Sequence, residues 1–183
     1  IVTYLPSPQE AGAVVATIDG DETSLECDSD GPLATLVFKT AADPFVGKLS
    51  YFRVCSGTLM ADSQIWNANR GESERIGQVF SVLGKEQEAV SKLAAGDIGA
   101  VAKLSSVLTG HTLCNREKQI LLEGVEFANP VYQMAVYPKS KADVDKMTSS
   151  LARIAEEDPS LDITRDPDTL EVLLGGLGDM HVD

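Results

Sequence analysis

Few side chains in this chain are placed to do chemistry. Arg53 stands in a β-forming run between Phe52 and Val54. A guanidinium on a strand face pairs with a carboxylate, snorkels along apolar neighbours, or reaches a phosphate oxygen. Lys139 and Lys141 flank Ser140 where a helical pattern begins. Their ammonium groups serve either a solvated helix start or docking to RNA or protein. Arg53, Lys139 and Lys141 are therefore the candidate nucleic-acid contacts.

Other reactive residue types lack the company their chemistry needs. His111 and His181 are isolated, whereas a metal site needs three or four convergent ligands. Both read as surface or packing residues. Cys27, Cys55 and Cys114 show no CxxC spacing, which fits buried or indifferent thiols in a reducing cytosol. The acids Asp19, Asp21, Asp28 and Asp30 suggest calcium at first sight. Aligning Glu26 as first ligand puts Val37 where a bidentate Glu is required, so a solvated acidic loop is the better reading. Gly47-Lys48 precedes Leu49 and Gly84-Lys85 precedes Glu86, without the glycine and the Ser/Thr of a phosphate-binding loop. No Gly-x-Ser-x-Gly elbow occurs. No catalytic residue, cofactor site or metal site is expected within the chain.

Charge narrows the partners. The 183 residues carry a formal charge of −13. Residues 1–30 hold seven acids and no base, residues 31–128 are balanced, and residues 129–183 hold six more acids than bases. Non-specific nucleic-acid binding is opposed, so an RNA contact would need a local basic patch. No apolar run approaches the ~18 residues of a membrane span.

The elements that position these residues come in three parts. Leu5-Pro6-Ser7-Pro8 reads as an extended tether, and Asp19 to Gly31 as acidic turns with one short strand at Thr23–Cys27. Residues 31–128 read as β throughout. Asp43-Pro44 is a tight turn into the strand Leu49–Cys55, and Ser56-Gly57 looks like a hairpin reversal into Thr58–Met60. Further strands are expected at Leu33–Lys39, Gln64–Asn67, Glu74–Leu83, Ile98–Leu104, Thr112–Cys114, Gln119–Leu122 and Val125–Phe127. The polar stretch Gly84 to Lys92 is expected to include a helical turn. Many short strands at near-regular turn spacing imply a closed barrel or a sandwich.

At Asn129-Pro130 the period changes. Val131–Tyr137 reads as a strand. Ser140 and Asp143 then form a capping-box-like start to a helix with Val144, Met147, Leu151 and Ile154 at helical spacing. Strands at Leu161–Arg165 and Leu170–Leu174 follow, and Asp179 reads as the N-cap of another helix. The order β, α, β, β and a new α is most of an α+β ferredoxin-like split βαβ unit. Its last helix body and strand are missing, and the chain reads as an internal piece of a longer protein.

These motifs carry a resemblance. Leu5-Pro6-Ser7-Pro8, Asp43–Leu49, Phe52–Leu59, Ala95-Gly96-Asp97-Ile98 and Gly110–Cys114 closely resemble bacterial elongation factor G. So do Pro138–Asp143, Glu156-Glu157-Asp158-Pro159 and Gly176–His181. The similarity is collinear over the chain apart from residues 9–30. It implies that residues 1–30 are the tail of a GTP-binding domain and an acidic linker. Residues 31–128 would be the Greek-key β-barrel of domain II, and residues 129–183 a truncated domain III. The implied parent is a cytoplasmic translational GTPase, with GTP and Mg²⁺ held by a domain absent here. It would promote ribosomal translocation, with rRNA, ribosomal proteins and its own GTP-binding domain as partners. A ribosomal protection or recycling relative stays open, as does a stand-alone barrel scaffold.

Overall fold

Two-residue alternation becomes strand after strand in the computed structural model, which describes residues 3–43, 46–84 and 86–183. The chain divides into two units, Ile1–Val125 and Glu126–Asp183.

The first unit opens with a capped turn. Ser7 N–H donates to Glu10 Oε2 at 2.8 Å, and Glu10 N–H donates to Ser7 Oγ at 3.3 Å. That is the reciprocal pairing of Ser-x-x-Glu, with Pro8 where its missing N–H costs nothing. The stretch expected to be an extended tether thus ends in this turn. Strands β1 (Val14–Ile18) and β2 (Asp21–Leu25) follow as a hairpin. Its two-residue loop is Asp19-Gly20, with φ of 53° and 95°. Asp-Gly suits such a loop because both positions need positive φ. The acidic stretch is therefore a hairpin, not turns around one strand.

Eleven further strands complete the first unit, ten in the barrel and the last beside β1: β3 (Ala34–Asp43), β4 (Gly47–Ser56), β5 (Thr58–Met60), β6 (Gln64–Asn67), β7 (Glu72–Arg75), β8 (Val79–Leu83), β9 (Glu86–Val90), β10 (Lys92–Ala94), β11 (Ile98–Ala102), β12 (Thr112–Cys114) and β13 (Ile120–Leu122). One sheet runs β7-β6-β12-β3-β4-β11-β8-β9, and β10 pairs with β5. They wrap a core that includes Val37, Phe52, Val54, Leu59, Ile76, Val101 and Leu113. A second sheet, β13-β1-β2, buries Ala16, Leu25, Ile120 and Leu122 against Ala34 and Cys114.

The expected reversal at Ser56-Gly57 is not a hairpin. Strand β4 pairs with β3 and β11, whereas β5 pairs with β10. Gly57 bends the chain from one ladder to the other at φ +76°, and a Cβ there would lie 2.6 Å from Leu33 Cα. Only glycine fits such an approach. The hairpin is β3–β4, which closes at Asp43 opposite Gly47. Pro44 and Phe45, on which the expected turn depends, lie outside the described residues.

Three other expectations change. Glu86–Val90 is a strand hairpinned onto β8, not a helical turn. Gly84, at φ +62°, supplies the loop. The run 74–83 is two strands, β7 and β8, interrupted at residues 76–78: Glu74 and Ile76 are the inward positions before the phase shifts, and Val79 is the first after it. Val125–Phe127 forms no strand.

The second unit comprises β14 (Tyr132–Val136), a 3-10 turn (Lys141–Asp143), α1 (Val144–Glu157), β15 (Asp162–Arg165), β16 (Val172–Gly176) and α2 (Asp179–Val182). Its sheet order β14-β16-β15 places β16 antiparallel between the two strands that α1 connects. That is the split βαβ arrangement. Helix α1 buries Leu151, while Val144 and Ile154, at the same helical spacing, stay 43% and 46% exposed. The expected capping box does not form. Ser140 Oγ donates to Asp143 Oδ2 at 2.6 Å, and Asp143 itself takes the N-cap place of α1. Gly178, not Asp179, is the N-cap of α2.

Candidate nucleic-acid interface

Arg53 reaches the surface because β4 turns Phe52 and Val54 inward and leaves the residue between them outside. It sits opposite Leu36 on β3 and Ile98 on β11. With Pro8, Leu25, Cys27 and Cys55 it lines a cavity of about 100 Å³. Among the described residues no carboxylate pairs with it. A guanidinium on an apolar shelf, without an ion pair, keeps its donors available for a phosphate.

Lys139 and Lys141 belong to the second unit. Pro138 ends the strand direction, and the 3-10 turn lifts Lys141 into solvent. Lys139 lines an open groove of about 330 Å³ with Tyr137, Asp143, Lys146 and Met147. Lys146 is a base that sequence reasoning missed. Non-helical residues 138–140 separate it from Lys139, so no periodicity links them. Lys141 does not line this groove.

A buried polar network was also missed. Glu74 accepts hydrogen bonds from Ser106 N–H at 2.5 Å and from the Ser106 hydroxyl at 2.7 Å. Asn67 Nδ2 donates to Ser106 O at 3.3 Å and to His111 Nδ1 at 3.1 Å. Leu108 N–H also donates to His111 Nδ1, at 3.2 Å. Two donors on Nδ1 fix the neutral tautomer with its proton on Nε2. Burial, with Arg70 and Lys48 nearby, holds the His111 pKa below its ordinary value of 6.5. His111 thus ties residues 105–111 to β6, a packing role. Each residue lies in a different part of the sequence, so spacing carries no signal for the set.

His181 joins two ends of the second unit. Leu177 N–H donates to its Nδ1 at 3.1 Å, and its Nε2 meets Asp158 Oδ2 at 3.0 Å. The Ser160 hydroxyl, aided by His181, holds the Asp158 carboxyl below its usual range. Elsewhere Arg116 stacks over Trp66, 5.2 Å from the ring centroid.

No group of three or more His, Cys, Asp or Glu among the described residues could hold a metal ion. Among the described residues no helix is long and apolar enough to cross a membrane.

The architecture is that of a β-barrel followed by a split βαβ unit. Residues 32–116 match the family model for elongation factor G domain 2, and residues 127–183 match that for elongation factor G, domain III. The chain is elongation factor G-like. A crystal structure of a protein from Thermus thermophilus superposes with a TM-score of 0.74 at 29% identity, covering 97% of this chain. The match covers 24% of that Thermus chain, so this chain spans about a quarter of its length. Arg53 therefore lies in the elongation factor G domain II, and Lys139 and Lys141 lie in domain III. The 510 Å³ cavity along β1 and β13, lined by Val15, Glu22, Asn69 and Leu122, lies partly outside the matched stretch.

Proposed function

We propose that this chain is a non-catalytic, ribosome-contacting part of an elongation factor G-like GTPase that promotes GTP-dependent translocation in the cytoplasm. The observation that carries the reading is the pairing of domains II and III of one translation-factor family, in that order, on one chain. GTP and Mg²⁺ belong to a GTP-binding domain of the longer protein, with which the barrel packs. Arg53, Lys139 and Lys141 contact rRNA phosphates, because each is exposed and none has a carboxylate partner among the described residues. The net charge of −13 makes such contacts local rather than general.

The test uses the whole gene product that contains this chain. Ribosome-stimulated GTP hydrolysis and movement of tRNA with mRNA are the expected results. Ribosome binding with hydrolysis but no movement would assign it to a protection or recycling relative. Absence of ribosome binding would favour the scaffold reading. In the same protein, Arg53→Glu is expected to weaken ribosome binding and to flatten its salt dependence by about one unit of slope for the lost phosphate contact. Unchanged binding and slope would return Arg53 to a structural role.

A further inference from the structure

Two of the three cysteines, 28 positions apart in sequence, meet at one place in the barrel's outer layer. Cys27 follows β2 and Cys55 stands on β4, and both line the same cavity of about 100 Å³. Backbone bonds hold the two walls together. The Asp28 carbonyl accepts from Gly57 N–H at 2.8 Å, and the Ser29 carbonyl accepts from the Thr58 hydroxyl at 3.0 Å. Gly96 N–H donates to the Val54 carbonyl at 2.8 Å, and a Cβ on Gly96 would lie 3.6 Å from Cys27 Sγ. The Cys27 sulfur therefore rests against the backbone that brackets Cys55. Both thiols are half-buried, whereas Cys114 is fully buried in the layer beneath.

The geometry points to Cys27 and Cys55 as a dithiol site that reacts with low-molecular-weight disulfides and closes to an intramolecular disulfide. The Cys27 thiolate attacks one sulfur of the small disulfide. A mixed disulfide forms on Cys27, and one small thiol leaves with a proton. The Cys55 thiolate then attacks the Cys27 sulfur, forms the Cys27–Cys55 bond and expels the second small thiol. The protein dithiol is oxidised by two electrons and the small disulfide is reduced to two thiols. Burial and the neighbouring Cys27 push the Cys55 thiol up, an effect that the Arg53 guanidinium only partly offsets, which suits Cys55 to the second step. The small cavity suits Cys55 to a resolving role, since it meets a sulfur already delivered to its wall. The product ties the end of the acidic hairpin to β4.

The test treats the 183-residue chain with oxidised glutathione, alkylates it after denaturation, and maps the peptides. The expected result is loss of two alkylatable thiols of three, a Cys27–Cys55 linked peptide, and Cys114 still alkylated. Cys55→Ser is expected to trap glutathione on Cys27, and Cys27→Ser to leave Cys55 largely unmodified. Dithiothreitol should restore all three thiols. Stable glutathione adducts on both residues of the unsubstituted chain would overturn the proposal. So would a bridge to Cys114, or three thiols unchanged after treatment.

Discussion

The two units of this chain spend apolar side chains very differently. In the barrel, Phe52, Leu59, Ile76, Val101 and Leu113 are sealed from solvent, and the second sheet seals Ile120 outside them. In the split βαβ unit, Leu151 and Leu174 are buried, while Val144, Ile154, Leu177 and Met180 face outward. The difference is geometric. A sheet that curls around itself covers its own inner face, so every inward position on every strand counts. A three-stranded sheet with one helix covers a single face, and only the residues directly between the layers are enclosed.

The comparison can be broken by mutation. Phe52→Ala is expected to cost about 3–5 kcal/mol, since the cavity left in a wrapped core cannot collapse. Urea unfolding followed by fluorescence of Trp66, the one tryptophan, reads that barrel directly. Gly57→Ala should cost about 3 kcal/mol in the same assay, because it forces positive φ on alanine and meets the Leu33 backbone. Leu151→Ala should cost about 2 kcal/mol, the low end for leucine, read by the far-ultraviolet signal of α1. A Leu151→Ala loss as large as that of Phe52→Ala would mean that the second unit is as tightly packed as the first.

Two titrations sharpen the contrast between buried and exposed polar groups. The His111 pKa is depressed in the folded chain. The unfolded chain therefore binds a proton near pH 6.5 that the folded chain refuses. The His111 contribution is fully present above that pH and is lost as pH falls through the folded pKa. His111→Gln should remove this part of the pH dependence of barrel stability. Glu10 is fully exposed, and its backbone and hydroxyl bonds with Ser7 lower its pKa from the usual 4.5. Ser7→Ala removes the hydroxyl bond but keeps the backbone N–H bond, the larger cause, so the Glu10 pKa, followed by carboxyl NMR shifts, should return only part of the way toward 4.5. A Glu10 carboxyl that titrates at 4.5 in the unsubstituted chain would mean that the capped turn does not persist in solution.

The legible parts of the fold were those governed by local period. Strands at Gln64–Asn67 and Thr112–Cys114, and the helix through Leu151, follow directly from residue pattern. Pairing was not legible at Ser56-Gly57, because a glycine at positive φ serves a hairpin and a ladder-to-ladder bend equally well. Asp19-Gly20 carried a strong hairpin signal that the surrounding acids obscured. The inward positions shift phase between Ile76 and Val79, across a break at 76–78 that residue pattern alone does not announce. For the candidate contacts, sequence named Arg53, Lys139 and Lys141, but only coordinates show Arg53 without a carboxylate partner among the described residues. The set Asn67–Glu74–Ser106–His111 depends on long-range approach and leaves no trace in spacing, and the non-helical residues 138–140 hide Lys146 from any periodicity that starts at Lys139.

The β1–β13 ladder joins Ala16 to Leu122. During synthesis β1 and β2 leave the ribosome about a hundred residues before their third strand exists. Until Leu122 emerges they are an isolated two-stranded ribbon, which is marginal in water. The acids of that hairpin then act on a nascent chain. Asp19 in the loop and Asp21 and Glu22 on β2 place charge beside the unpaired edge of β1 while it waits for β13.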